Sequence, residues 1–176
     1  MLKRYVLLFA LALFPVAVLA QHAEHSRKAA KGEQKAAKTE QAAGANVKAF
    51  TPDKVEWGAA PNALPTGAQL GVLEGDPMKA GPYTMRLKMP AGYRIPPHFH
   101  MRREHVTVVS GNLKVGMGDK FDEGAMNSFS PGSFAYLEPQ THHYAMADGE
   151  TVIQLHGIGP WGIKYVNASD DPRKNQ

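Results

Sequence analysis

From residue 49 onward, short apolar runs are separated by Gly, Pro, Asn and Asp, and no stretch keeps a helical period. In the clearest run, residues 83–89, apolar side chains alternate with polar ones. Such alternation indicates a strand with one buried face. Further strands are predicted over residues 104–110, 113–117, 133–137, 151–156 and 163–166. Many short strands joined by turn residues predict an all-β sandwich or barrel.

The first twenty residues have the pattern of a secretory signal peptide. Lys3 and Arg4 precede an apolar run that ends in Val-Leu-Ala at Ala20. This pattern predicts cleavage after Ala20 and an exported protein, periplasmic or extracellular. The run is shorter than the roughly twenty apolar residues of a membrane-spanning helix, so no membrane span is expected. Export permits disulfides, but the chain has no cysteine, and stability must come from the core, helped by any bound metal.

Residues 21–47 are rich in Ala, Lys, Glu and Gln and contain no aromatic residue. This composition predicts a disordered linker, which leaves residues 48–176 as the barrel domain. The net charge of +4 comes from the signal peptide and the linker, because residues 48–176 carry thirteen bases and thirteen acids. Because the folded part has no net charge, nucleic acid is not expected as a partner.

The segment GYRIPPHFHMRREHVTVVSG places His98 and His100 two residues apart, with Glu104 four residues later. Side chains at i and i+2 of a strand share one face, about 7 Å apart. The connection Met101–Arg103 would let Glu104 open the adjacent strand and add an oxygen. Two imidazoles and a carboxylate can hold a divalent ion and leave other coordination positions open. The alternative is a strand with histidines on a polar face by chance.

A second segment, Gly132 to His143, is a predicted strand and turn that end in a histidine pair. Both segments resemble the motifs of the cupin superfamily. The sequence that flanks them is similar to that of small exported single-domain bacterial cupins. The first motif, Gly92-X5-His-X-His-X3-Glu-X6-Gly111, matches without a mismatch. The second keeps the glycine-to-histidine spacing, but Glu138, Gln140 and Ala147 replace the family's Pro, Gly and Asn.

The resemblance implies a small antiparallel β-barrel, the double-stranded β-helix or jelly-roll-like fold. It also implies one divalent first-row transition metal, namely Fe, Mn, Ni, Cu or Zn. The implied ligands are His98, His100, Glu104 and His143.

The alternation of side chains along a strand predicts which way the remaining candidate residues point. If Glu104 points inward, His105 points outward, and His142 faces away from the site. Gln154 and His156 share a face that either lines the pocket, with a role in supporting the ligands or contacting substrate, or meets water.

Three aromatic residues, Tyr83, Phe134 and Tyr136, are expected in the core. Gly157 to Gly162 fits GxGxxG, but too few residues follow for the helix that a dinucleotide site requires, so a turn is expected there.

Two kinds of function remain open. The first is a metal-dependent enzyme, a dioxygenase-type oxidoreductase acting on a small oxygen-bearing molecule, with Glu104 as ligand and proton acceptor. With Zn, isomerase or lyase chemistry would be favoured. The second is a non-catalytic module that binds a metal or a small ligand outside the cytoplasm. A small-molecule partner follows from either, and pairing of two chains through a strand edge is an oligomeric state that such a sheet allows.

Overall fold

The structure, a computed structural model, describes residues 47–174. The predicted signal peptide and all of the predicted linker except Val47 lie outside the described residues. The barrel belongs to the unit Phe50–Gln176. Helix within residues 47–174 is confined to short 3-10 turns at Pro52–Lys54, Glu123–Ala125, Ala168–Asp170 and Pro172–Lys174. None of these turns has the length or the hydropathy needed to cross a membrane.

The described chain folds into strands arranged in two antiparallel sheets, which confirms the all-β prediction. The strands are β1 (Gly58–Ala59), β2 (Gln69–Glu74), β3 (Gly81–Met89), β4 (Arg94–Phe99), β5 (Glu104–Ser110), β6 (Leu113–Met117), β7 (Asn127–Phe129), β8 (Phe134–Leu137), β9 (His143–Ala147), β10 (Thr151–Gly159) and β11 (Lys164–Tyr165). One sheet has the order β1-β2-β3-β10-β5-β8, and the other has the order β11-β4-β9-β6-β7.

The core lies between the inner faces of these sheets. In β3, Tyr83, Met85, Leu87 and Met89 are buried, as the alternation predicted, and Met89 is fully inaccessible. Burying an aliphatic side chain of this size stabilises the fold by roughly 1.5–3 kcal/mol. The inner faces therefore supply the stability that a chain without disulfides needs.

Several expectations differ from the structure. Glu104 opens β5, but β5 lies in the sheet opposite β4, so Met101–Arg103 crosses between sheets instead of joining neighbouring strands. The predicted turn at Gly157 begins later, because Gly157 to Gly159 are the last residues of β10. Glycine is needed at Gly159, since a Cβ there would overlap the backbone of Lys79.

The expected core positions of Phe134 and Tyr136 are wrong. These side chains are 56% and 57% exposed, on strand β8 at the edge of its sheet. Their partners in β5 are Thr107 and His105, both on the outer face, and this register carries the two aromatic rings outward. Tyr83 is buried as predicted.

Candidate metal centre

Strand pairing brings three of the predicted ligands together. His98 in β4 and His143 in β9 are Cα partners, so their rings emerge side by side. His100 follows the end of β4. The nitrogen atoms with which His98, His100 and His143 could bind an ion all lie within 4.8 Å of one another. All three side chains are buried, with at most 7% of each residue exposed.

The local sequence explains an irregularity in the pairing of β4 beside this site. Pro96 and Pro97 have no N–H to donate, and the β4–β9 register shifts between Ile95 and His98. Proline inside a sheet occurs at such irregularities because the ladder loses a hydrogen bond there. After the irregularity, regular pairing resumes at His98, which lies opposite His143.

The backbone sets the tautomer of each ring. The Nδ1 atom of His98 lies 2.7 Å from the carbonyl oxygen of Pro96, and Nδ1 of His143 lies 2.9 Å from that of Thr141. Nδ1 of His100 lies 2.7 Å from the carbonyl oxygen of Gly162. Because a carbonyl only accepts, each Nδ1 carries the proton and donates. The three Nε2 lone pairs therefore remain available for a metal, an arrangement typical of metal-binding histidines.

Burial keeps two of these rings uncharged. Desolvation lowers the pKa of His98 well below its usual range, and the neighbouring His143 and His100 lower it further. Desolvation also lowers the pKa of His143, although the nearby Glu104 carboxylate opposes that shift. Neutral imidazole is the form that binds a metal. The donor type and tautomer of the three histidines, and the uncharged state of His98 and His143, thus fit a divalent first-row transition ion.

Glu104 lies beside the histidine group and is 6% exposed. Its Oε2 atom is 3.3 Å from Nε2 of His100. Its Oε1 atom accepts a hydrogen bond of 3.0 Å from the indole Nε1 of Trp161. The carboxylate is therefore held at one oxygen and presents the other toward the histidines. That Glu104 is a fourth ligand stays a prediction.

Trp161 is a residue of the site that the sequence analysis missed. It was included in a glycine-rich turn, and no periodicity or motif spacing ties it to Glu104. The segment that contains Trp161 and Gly162 contributes both the indole donor to Glu104 and the carbonyl acceptor for His100. A single tryptophan after a Gly-Pro pair was the only signal available in the sequence.

The other candidate histidines lie elsewhere. His142 is half-buried, stacks on Phe99 and has its Nδ1 atom 2.6 Å from a carboxylate oxygen of Asp119. Gln154 and His156 lie on the outer face of β10, and neither lines the barrel cavity. Gln154 accepts a hydrogen bond from Nε of Arg86. Of the two alternatives for this face, the structure favours contact with water over a place in the pocket.

The three histidines and Glu104 open into a cavity of about 370 Å³ inside the barrel. Its walls are mainly apolar side chains from both sheets, and they also include Ser133, Glu138 and Thr141. Within residues 47–174, no lysine or arginine lines this cavity. The site therefore combines one polar cluster with an apolar chamber.

Comparisons with known proteins agree with this geometry. The solved structure of the polyketide cyclase RemF from Streptomyces resistomycificus is similar, with a TM-score of 0.54 and 16% identity over 73% of this chain and 91% of that one. A protein from Methylibium petroleiphilum, provisionally named an acetylacetone dioxygenase, gives a TM-score of 0.53 and 19% identity over 72% and 85%.

These two likenesses establish the fold. A search of curated protein sequences finds no significant match. Residues 46–161, well over half of the chain, match the family model of the ChrR cupin-like domain. The chain belongs to this family of the cupin superfamily.

Proposed function

We propose that the protein is a metal-dependent enzyme, a dioxygenase-type oxidoreductase that acts on a small, uncharged, oxygen-bearing organic molecule. The observation that carries the proposal is the convergence of three buried imidazoles, each with its Nδ1 bound to a backbone carbonyl, at an apolar cavity. Cupin membership and the presence of a buried carboxylate at the same place support it.

The cavity narrows the class of substrate. Its volume of about 370 Å³ falls in the range of pockets that bind small organic molecules, roughly 300–1,000 Å³. Because the lining contains no lysine or arginine, no cation on its walls would neutralise a phosphate or a polycarboxylate. The substrate class that fits is a mainly apolar molecule whose few oxygen atoms approach the histidine group.

Each residue of the site would have a separate role in the reaction. A bound redox-active ion would supply the oxygen chemistry, whereas Zn would supply Lewis acidity for an isomerase or lyase reaction. His98, His100 and His143 would hold the ion in an orientation set by the backbone. The Oε2 atom of Glu104 would accept a proton from a substrate, while the indole of Trp161 donates a hydrogen bond to Oε1. The aliphatic walls exclude bulk water from the reacting groups.

Two relatives of the same fold indicate which compounds to test first. One is provisionally named an acetylacetone dioxygenase, and the other is named a polyketide cyclase. A β-diketone or a polyketide-like enol has the polarity that the cavity accommodates. The alternative, a non-catalytic binding module, would be favoured by a chamber packed too tightly for an organic molecule, and the cavity volume argues against that packing.

Metal content and oxygen consumption test the proposal together. We expect the purified wild type to contain about one transition-metal ion per chain, and the His98→Ala/His143→Ala variant to contain none. The matched control is His142→Ala, which removes a half-buried histidine bound to Asp119 and should leave the metal content unchanged. Wild type loaded with Fe²⁺ should then consume oxygen with acetylacetone or a related enol. A metallated protein that stays silent with β-diketones, flavonols and other enols contradicts the enzymatic proposal and favours the binding module.

We also propose that the protein is exported, on the basis of the signal-peptide pattern that ends at Ala20. The mature chain isolated from its host should begin at Gln21. An N-terminal sequence that begins at Met1 would contradict export through this signal.

A further inference from the structure

The barrel cavity extends well beyond the histidine group. Glu104, Val106 and Val108 lie on the inner face of β5, and all three line the cavity. Val108 follows Glu104 by four positions, which places their Cα atoms about 13 Å apart along the strand. The cavity therefore runs along β5, with the histidine group at one end and Val108 at the other.

The far end of the cavity lies four positions from the metal centre in both sheets. In one sheet, Ile153 is the Cα partner of Val108. In the other, Leu113 is the partner of Ala147, which follows His143 by four positions in β9. Val108, Ile153 and Leu113 line the cavity, and each is at most 5% exposed. Apolar side chains therefore close the far end.

The cavity opens at the level of the metal centre. Met117 is the Cα partner of His143 and lines the cavity, yet it is 57% exposed. Glu138, which follows the β8 partner of Glu104, also lines the cavity and is exposed. A ligand that enters here meets the histidine group first, and any longer part of it continues toward the closed end.

The level between the two ends is apolar. Ala145 follows His143 by two positions in β9 and lines the cavity, so it lies on the same face just beyond the histidine group. Its partner Val115 also lines the cavity, as do Val106 and Leu155 of the other sheet. These side chains offer no hydrogen bond, so this part of the cavity accommodates only the apolar part of a ligand.

We propose that the substrate has an oxygen-bearing head and an apolar tail, with the head at the histidine group and the tail running past Ala145 to Val108. This inference rests on the proposed function, because it takes the histidine group as the place of the reacting oxygen atoms. Acetylacetone is then a short analogue that leaves the far end of the cavity empty. Val108 is a specificity-determining residue, because its side chain limits the length of the tail.

Calorimetric titration with linear β-diketones that lengthen acetylacetone by one methylene at a time tests the tail. The full chain is loaded with Zn²⁺, which has no redox chemistry, so that binding is measured without oxygen consumption. Burial of one methylene favours binding by about fourfold, and the dissociation constant should fall by that factor at each step. The fall should stop when the tail reaches Val108.

Two substitutions at the far end should move this limit in opposite directions. Val108→Phe fills the far end, so the longest diketones should lose most of their advantage over acetylacetone. Phe129→Ala removes the ring opposite Leu113 and should move the limit to a longer tail. The matched control is Val109→Phe, the same change at the next residue, which is 37% exposed, and it should keep the length dependence of the wild type.

The inference is overturned if the affinity of the wild type does not rise with tail length, or if a folded Val108→Phe variant keeps the wild-type limit. If Val108→Phe does not fold, an unchanged limit in Phe129→Ala has the same meaning. The proposed function fails separately. Oxygen consumption by the Fe²⁺ protein with acetylacetone, without any gain from a tail, contradicts this inference alone. Length-dependent binding without oxygen consumption for any diketone contradicts the enzymatic proposal and supports the tail site.

Discussion

Trp161→Phe removes the N–H that holds the Glu104 carboxylate and keeps most of the aromatic ring. The lost contact is a buried hydrogen bond of 3.0 Å between the indole Nε1 and Oε1 of Glu104. Among the described residues, Trp161 is the only hydrogen-bond donor to Oε1. A hydrogen bond to a charged group contributes about 1.5–3 kcal/mol, so we expect the metal-free variant to lose stability by about that amount.

The same change should weaken metal binding. With Oε1 released, the carboxylate can rotate away from His100, whose Nε2 lies 3.3 Å from Oε2. Loss of a partner that orients a ligand typically lowers metal affinity by about 10–100-fold, and we expect a decrease within that range. The affinity is measured by competition with a chelator of known strength, and the stability by thermal unfolding in a chelator.

The matched control is Trp57→Phe, the same chemical change at a ring that lies under the Lys88 ammonium and away from the site. It should leave metal affinity within about twofold of the wild type, because Trp57 is not among the described residues that line the barrel cavity. If Trp161→Phe destabilises the fold but binds the metal as tightly as the wild type does, the indole has only a packing role and the orienting argument is refuted.

Two further predictions concern stability. Gly116→Ala should destabilise the protein by about 1–3 kcal/mol in thermal unfolding, because a methyl group there would overlap the ring of the buried Tyr144. Gly58→Ala, where the nearest atom to the added carbon is 4.0 Å away, should change stability by less than about 0.5 kcal/mol, and equal losses in the two variants would contradict the packing argument. Metal-free protein should lose melting temperature as the pH falls below about 6.5. The pKa values of His98 and His143 are lowered in the folded state, so the unfolded chain binds protons that the folded chain does not. The His98→Ala/His143→Ala variant should have a flatter melting profile over that pH range, and a flat profile in the wild type would contradict the linkage.

Much of the sheet could be predicted from local pattern. The predicted bounds of β5 and β6 agree with the structure, because each has a regular alternation or a clear turn at its ends. By contrast, β9 was not predicted, since all five of its residues are buried and no alternation marks it. The pattern of β2 was also missed, because Gly71 interrupts its apolar run.

The metal centre was predictable to the extent that its residues are close in sequence or match a known spacing. His98 and His100 share one segment, and the spacing from Gly132 indicated His143. The contacts of Trp161 and Gly162 were not predictable, because they join residues 57 and 62 positions apart that only the folded barrel brings together. The outward positions of Phe134 and Tyr136 depend on the β5–β8 register, which residue size alone does not reveal.

The two contacts made by the segment at Trp161 and Gly162 impose an order on biosynthesis. The carbonyl that fixes the ring of His100 and the indole that fixes Glu104 belong to residues that are synthesised after both histidine segments. A growing chain that stops before residue 161 has both cupin motifs but lacks these supports. We therefore expect tight binding of a metal only after residues 161 and 162 have been synthesised and have packed against the site.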